Sequence, residues 1–394
     1  MRNRVLGALL GLFLCGAFVL AVAGAGDEPE SPDDVRSAAF KERTPGPRRP
    51  PLTAPAPSRV PDVVMVRRAQ GIPAAWTRRA ARARGVVLVV RVRRGQALLR
   101  RAVDGQVVQS VRSGYAIPVD TLVADPRRYA SMLPADVRGD VARLSAGDAV
   151  LSRSGARLRR VGRGGRLELA GGTTLRVAAV VDDASLNGAE MLVARSGSGV
   201  ETRAAHMLVR LARPSAERSV KRAFRGQRVR VVRRGGPPGT GRGRIARPAE
   251  LKERFGEVAV KLPYGGDWVR LDPAWLRKNI VSARVPLLGS VTCNRRIVRD
   301  LRAAMRAVQR RGLGRLVDRG DYAGCYAPRR IPSSGSLSLH AYGLAIDLNA
   351  STNGQYRDGD QDPRLVRIME RHGFTWGGRW PTAPDPMHFE WQGG

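Results

Sequence analysis

The chain has 394 residues, with 69 Lys plus Arg against 34 Asp plus Glu and a formal charge of +35. That length admits two or more domains, and the composition excludes collagen-like and wholly disordered classes. The charge implies attraction to polyanions without choosing among nucleic acid, anionic membrane and anionic wall polymer.

Arg2 and Arg4 precede a charge-free apolar run from Val5 to Ala23, and small residues follow. Residues 1–25 therefore read as a secretory signal peptide. The run also approaches the roughly 20 residues that span a bilayer, so an uncleaved N-terminal membrane anchor is the alternative. Either reading exports the protein, placing it outside the cell or on the cell wall. Cys15 follows Leu14, too large for a lipoprotein cleavage site, so no lipidation is expected. Residues 26–59 begin acidic and turn Pro-rich, as a disordered linker does.

Over 60–285, short apolar runs such as Val86 to Val90 and Val229 to Val232 alternate with Arg and Gly. This predicts a mostly β region of one or two small domains, with no catalytic constellation. His206 stands alone among apolar neighbours and reads as structural. Arg residues on alternating strand positions form either a solvated face or a surface for anionic wall polymer or membrane. A nucleic-acid partner is disfavoured, because aromatics are only 5% of the chain and no aromatic stripe interleaves the basic residues.

Over 286–394 the pattern changes. Ile297, Val298, Leu301, Met305 and Val308 recur at helical spacing, with Gly312 where that helix would end. Asp362 and Pro363 open a second helix that stops at Gly373. Two short strands are predicted, Leu344 to Leu348 and Met387 to Trp391. Together these give an α+β domain, a small antiparallel sheet with flanking helices, behind the mostly β region. If Cys15 leaves with a signal peptide, Cys293 and Cys325 remain as an even pair. In an oxidising compartment they form a disulfide; otherwise they are small core residues.

The chemistry concentrates in Ser338-Leu339-His340-Ala341-Tyr342-Gly343-Leu344-Ala345-Ile346-Asp347 and Asp385-Pro386-Met387-His388-Phe389-Glu390. Catalytic zinc takes three ligands from His and carboxylate and keeps a fourth position open. His340 and Asp347 bracket a Gly turn and a strand, so both can reach one point. On the last strand His388 and Glu390 share one face, while Met387, Phe389 and Trp391 share the other. Pro386 breaks pairing, which leaves Asp385 in a loop, placed to act as a general base without being a ligand. Glu390 is a second, weaker candidate base.

The pattern S-x-H-x-x-G-x-A-x-D followed by D-x-x-H resembles the VanY-like D-Ala-D-Ala carboxypeptidases and related peptidoglycan zinc peptidases. Gly324-Cys325-Tyr326-Ala327-Pro328-Arg329 and Trp376-Gly377-Gly378 share that resemblance, which covers the chain from about Pro286. It implies a zinc peptidase domain in which His340, Asp347 and His388 bind Zn2+, Asp385 is the general base, and Arg329 holds the substrate or its scissile carbonyl oxygen. Ser338, Tyr342 and Trp376, with Trp380, would line the substrate cleft, and the substrate would be a peptidoglycan stem peptide. Many relatives carry Glu in place of Asp385, which leaves the exact bond open. Arg330 is an adjacent rival of Arg329. His372 reads as a helix-end dipole partner rather than a ligand. Asp358, Asp360 and Asp362 read as a polar loop with a helix cap rather than a calcium loop. A competing hypothesis keeps the zinc domain catalytically silent and makes the chain a wall-binding protein.

Overall fold

A computed structural model describes residues 61–393 apart from 69–70, 196–199, 234–247, 264–265, 333 and 381–382. The signal or anchor expected over 1–25 and the linker expected over 26–59 lie outside the described residues. Among the described residues no helix is long and apolar enough to cross a membrane.

Residues upstream of the C-terminal part build one sheet of eleven strands around the long strand Val86–Asp104. Its alternation is visible in burial: Val90 and Val92 point inward, whereas Arg91 and Arg93 are exposed. Glu201–Leu211 pairs along one side, and Tyr115–Ala124 and Arg166–Leu169 pair along the other. The sheet is mixed, with parallel pairs between Tyr115–Ala124 and Met191–Ala194 and between Asp148–Ser152 and Thr174–Val181.

This region is richer in helix than the sequence pattern suggests. Pro126–Ala130, Ala135–Ala142, Arg153–Arg159 and Pro248–Phe255 are among several helices of eight residues or fewer. Two turns give too few apolar positions to register a helical period, so these segments read as turns between strands. His206 is buried on Glu201–Leu211, in keeping with a structural residue.

The C-terminal core reaches upstream of residue 286. Leu251, Phe255, Val258 and Trp275 pack with Leu301, Met305, Ile346 and Phe389 in one cluster. The helix Pro248–Phe255 thus serves two layers. Its Leu251 and Phe255 enter the C-terminal core, while Lys252, 3% exposed, donates to the Pro118 carbonyl (2.6 Å) and to Glu190 Oε1 (2.7 Å). Arg159, fully buried, donates to the other Glu190 oxygen at 2.6 Å. Burial opposes the Glu190 charge, but Arg159 and Lys252 outweigh it and hold the carboxyl at about 2. A buried ion cluster of this kind specifies a single register, because any slip strands a charge away from water.

Within the C-terminal part, Ala345–Asp347, His388–Trp391 and Phe374–Trp376 form an antiparallel sheet with His388–Trp391 in the middle. The hairpin Ile280–Val285 and Gly289–Asn294 leads into the helix Arg295–Arg310, capped by Asn294 accepting from Arg296 N. The second helix, Pro363–Arg371, is capped by Asp362 accepting from Arg364 N at 2.7 Å. Both helices sit where the apolar spacing places them, and Gly312 and Gly373 follow them with φ of 66° and 85°.

Cys293 and Cys325 form a disulfide that closes a 32-residue separation. Loop-closure entropy for that length corresponds to about 3–4 kcal/mol. The double substitution C293A/C325A is expected to lower unfolding stability by about that much, measured by denaturant unfolding. A loss below about 1 kcal/mol would show that the bridge adds little.

Candidate metal centre

The site is assembled by strand register. Asp347 and His388 are direct cross-strand partners, as are Ala345 and Glu390, so all four side chains leave one face of the sheet. His340 arrives from the 3-10 turn Leu339–Tyr342, whose N-cap is Ser338. Gly343 ends that turn at φ +64°, and a Cβ there would lie 2.6 Å from Asn294 N, so only glycine lets the chain reverse against the neighbouring strand.

Three ligand-type atoms converge. His388 Nδ1 lies 2.8 Å from Asp347 Oδ1 and 3.1 Å from His340 Nε2, and His340 Nε2 lies 3.2 Å from Asp347 Oδ2. All three residues are buried. The far nitrogens are committed elsewhere. His340 Nδ1 donates to the Cys325 carbonyl at 2.9 Å, and His388 Nε2 donates to Glu390 Oε1 at 3.3 Å. A carbonyl only accepts, so His340 Nδ1 carries a proton, which leaves Nε2 as the nitrogen a metal would use. These outer partners are the kind that orient metal-binding imidazoles. Two imidazole nitrogens and one carboxylate, each aimed at a common point, fit a divalent metal. The disulfide bears on this too, since it fixes the residue whose carbonyl holds His340.

In the metal-free cluster a proton takes the place a metal would occupy, so metal binding would release it. Burial disfavours a charge on Asp347, but hydrogen bonds from His340 and His388 outweigh it and hold the carboxyl well below its usual range. Burial likewise opposes charging His388, yet its bonds to Asp347 and Glu390 push its pKa up to about 10. Asp385 moves the other way. Burial raises its carboxyl to about 6; Asp347 adds to the rise, while His388, His340 and Arg329 pull it down. Its Oδ1 is buried and accepts no hydrogen bond. Asp385 is held close by Gly377: the Asp385 N–H donates to the Gly377 carbonyl at 3.0 Å, and a Cβ on Gly377 would meet Asp385 O at 2.7 Å.

The remaining sequence candidates separate. Arg329 is half-buried, and its charge helps to hold the Asp385 carboxyl down, so the two lie within electrostatic reach. Arg330 is buried and donates to the Gly335 carbonyl at 3.2 Å and the Gly266 carbonyl at 3.4 Å, which makes it a structural residue. Ser338 accepts from His340 N at 3.3 Å and positions that residue. Trp376 is half-buried and donates its indole N–H to the Pro386 carbonyl at 2.7 Å, bracing the loop that carries Asp385. The expectation that Tyr342 lines the cleft is corrected. It is 4% exposed and packs edge-on against Trp275 at 5.9 Å, because the 3-10 turn sends His340 and Tyr342 to different sides. Glu390, read as a second base, instead accepts from His388. His372 is the C-cap of Pro363–Arg371 and lies outside the cluster. Asp360 accepts from Thr352 Oγ1 and from Asn353, as a polar loop residue does.

One residue near the centre, Tyr322, escaped the sequence reading. Tyr322 is kept as a neutral phenol, its pKa pushed up to about 12 by burial and by the Asp347 charge. No sequence signal marks it. Trp380 places its ring 5.2 Å from the His388 ring, and its indole N–H is buried without a hydrogen-bond partner.

No curated protein matches the chain. Among solved structures, a domain of a protein described as a permease from Porphyromonas gingivalis is similar at 17% identity with a TM-score of 0.26, covering 44% of this chain and 87% of that one. The periplasmic region of MacB from Actinobacillus actinomycetemcomitans is similar at 14% identity with a TM-score of 0.27, covering 45% and 89%. Both likenesses are too remote to carry a structural argument. Residues 332–391 match the family model for D-alanyl-D-alanine carboxypeptidase, a span that includes His340, Asp347, Asp385 and His388. At its C-terminus, therefore, the chain carries a segment that matches the VanY-like D-alanyl-D-alanine carboxypeptidase family.

Proposed function

We propose that the protein is an exported zinc peptidase that hydrolyses peptide bonds in peptidoglycan stem peptides, most simply as a D,D-carboxypeptidase. The observation that carries this reading is the convergence of His340, Asp347 and His388 beside an unpartnered Asp385 oxygen. The family match supports the substrate class. The basic, then apolar, start of the sequence supports export.

When bound by these three residues, zinc supplies Lewis-acid polarisation of the scissile carbonyl and acidifies an adjacent water. Asp385 takes the proton from the attacking water and returns it to the leaving amine. A carboxyl near 6 suits both tasks, since a base works best with a pKa close to the working pH. Arg329 sets a fixed positive charge where the substrate carboxylate or the developing oxyanion would lie. The decisive experiment incubates purified peptidoglycan with the protein, with and without chelator, and identifies released fragments by mass spectrometry. Release of D-Ala that chelator abolishes is expected; equal release in both samples would refute a metal-dependent peptidase.

Glu390 acts here through His388. Glu390→Gln keeps the shape but weakens the acceptor for His388 Nε2, so zinc affinity should fall about 10–100-fold. Competition against a fluorescent chelator reads this directly, and an unchanged affinity would remove Glu390 from the site.

Trp380 offers a sharper test of substrate contact. Buried indole N–H groups in folded proteins are normally paired. Those of Trp275, Trp376 and Trp391 donate to the Phe255 carbonyl, the Pro386 carbonyl and Asp300. In this proposal the Trp380 N–H donates to bound substrate. Trp380→Phe retains a ring against His388 and should lower kcat/KM about 10-fold, with zinc affinity unchanged. Wild-type kcat/KM in that variant would dismiss the contact.

A further inference from the structure

A concentration of positive charge lines a concavity whose residues include none of the metal-centre residues. Arg284, Arg302, Arg306 and Arg319 line one open concavity of about 580 Å³, with Pro286 and Leu287 as its aliphatic floor. Three elements supply them: the strand Ile280–Val285, the helix Arg295–Arg310 and the 3-10 turn Arg319–Asp321. Among the described residues none of the four is paired with a carboxylate. Two of the side chains are held rather than loose. Arg302 Nε donates to the Arg284 carbonyl at 2.8 Å. The Arg319 guanidinium lies over Gly289, where a Cβ would come within 2.7 Å of it. Gathering four guanidinium groups around one hollow is electrostatically unfavourable unless an anion completes it.

The hollow opens onto a longer feature. Arg295, Arg299, Arg302, Arg306 and Arg310 follow one another at steps of four or three residues, which places them on a single helix face. At 1.5 Å per residue that ridge runs about 22 Å. The helix has one acidic residue, Asp300, and it is engaged by Arg299 and by the Trp391 indole. A single phosphate would use only the hollow; a ridge of this length matches a repeating anion.

We propose that this ridge and hollow bind a phosphodiester polymer of the cell wall, holding the peptidase against its substrate. The choice of a wall polymer rests on the exported reading above, whereas the charge argument does not. Two observations set it above the other polyanions. The apolar face of the helix is buried in the core, with Ile297, Leu301 and Met305 at 0% exposure, so no apolar residue is left to enter a bilayer. The lining of the hollow has no aromatic ring on which a nucleobase could stack.

The test measures binding of the full chain to synthetic poly(glycerol phosphate) across a salt series. Vesicles of phosphatidylglycerol in phosphatidylcholine and duplex DNA serve as parallel arms. The ridge variant is R302Q/R306Q; the control is R82Q/R127Q, an equal charge change at exposed positions outside the ridge. The ridge variant is expected to lose at least about 10-fold in affinity and to reduce the log–log salt slope by roughly 1.5, with the control within about 2-fold of wild type. Hydrolysis of a soluble stem peptide should be unchanged in both, so failure of the peptidase reading and failure of the binding reading are scored separately. Equal losses in the two variants would reduce the site to diffuse charge. No binding by wild type, or tighter binding of vesicles or DNA at the same salt, would overturn the proposal.

Discussion

His388→Ala is expected to abolish zinc retention and, with it, hydrolysis of wall peptides. His388 is the hub of the centre: its Nδ1 is 2.8 Å from Asp347 Oδ1, and its Nε2 is 3.3 Å from Glu390 Oε1. Removing the ring takes away one ligand and leaves two buried carboxylates without the imidazole between them. Loss of an outer partner of a metal ligand already weakens binding about 10–100-fold. Loss of the ligand itself should exceed that, and turnover should fall to the level of chelated wild type. Metal content after dialysis, measured beside released D-Ala, checks both halves. A variant that keeps stoichiometric zinc, or turns over like wild type, would contradict the assignment of this centre. Asp347 and Glu390 repel each other once the imidazole is gone, so the variant should also unfold at lower denaturant than wild type.

How far the sequence carried varies with the physical origin of each feature. The convergence of His340, Asp347 and His388 was legible because residue type, order and strand parity act together. His388 and Glu390 are two apart on a strand, so they share a face, and the register opposite Asp347 follows once that face is known. The helices Arg295–Arg310 and Pro363–Arg371 were legible because amphipathic spacing and caps agree. Tyr342 was misplaced because it lies in a short 3-10 turn, where neither period applies and only the observed packing against Trp275 decides its side. Glu390, ranked below Asp385 as a base, has a partner that the sequence does not show. A carboxylate two residues from a ligand has the chemistry of a base, and only coordinates show its oxygen on the far nitrogen of His388. The reach of the C-terminal core into Leu251, Phe255 and Trp275 was hidden by the same logic, since one helix serves two layers and its pattern satisfies neither alone.

Asp385→Asn should separate binding from chemistry. Asp385 is 7% exposed and contributes no ligand atom to the cluster, so the amide variant should retain zinc and fold as wild type does. Its kcat should fall about 10²–10⁴-fold, the range general acid–base groups supply. The pH profile gives a second reading. Burial raises the Asp385 carboxyl to about 6. The base acts only when deprotonated, so wild-type kcat/KM should rise with pH through that pKa and level off above it. A bound cation pulls the carboxyl downward, which places the acid limb at or below about 6 rather than above it. In Asp385→Asn the limb should vanish from the residual rate, because the amide does not titrate in this range. Should the variant lose zinc together with turnover, Asp385 would belong to the metal shell. Should it keep both turnover and the wild-type acid limb, another group would have to take the proton from water, and the unpartnered oxygen beside His388 would need a different explanation.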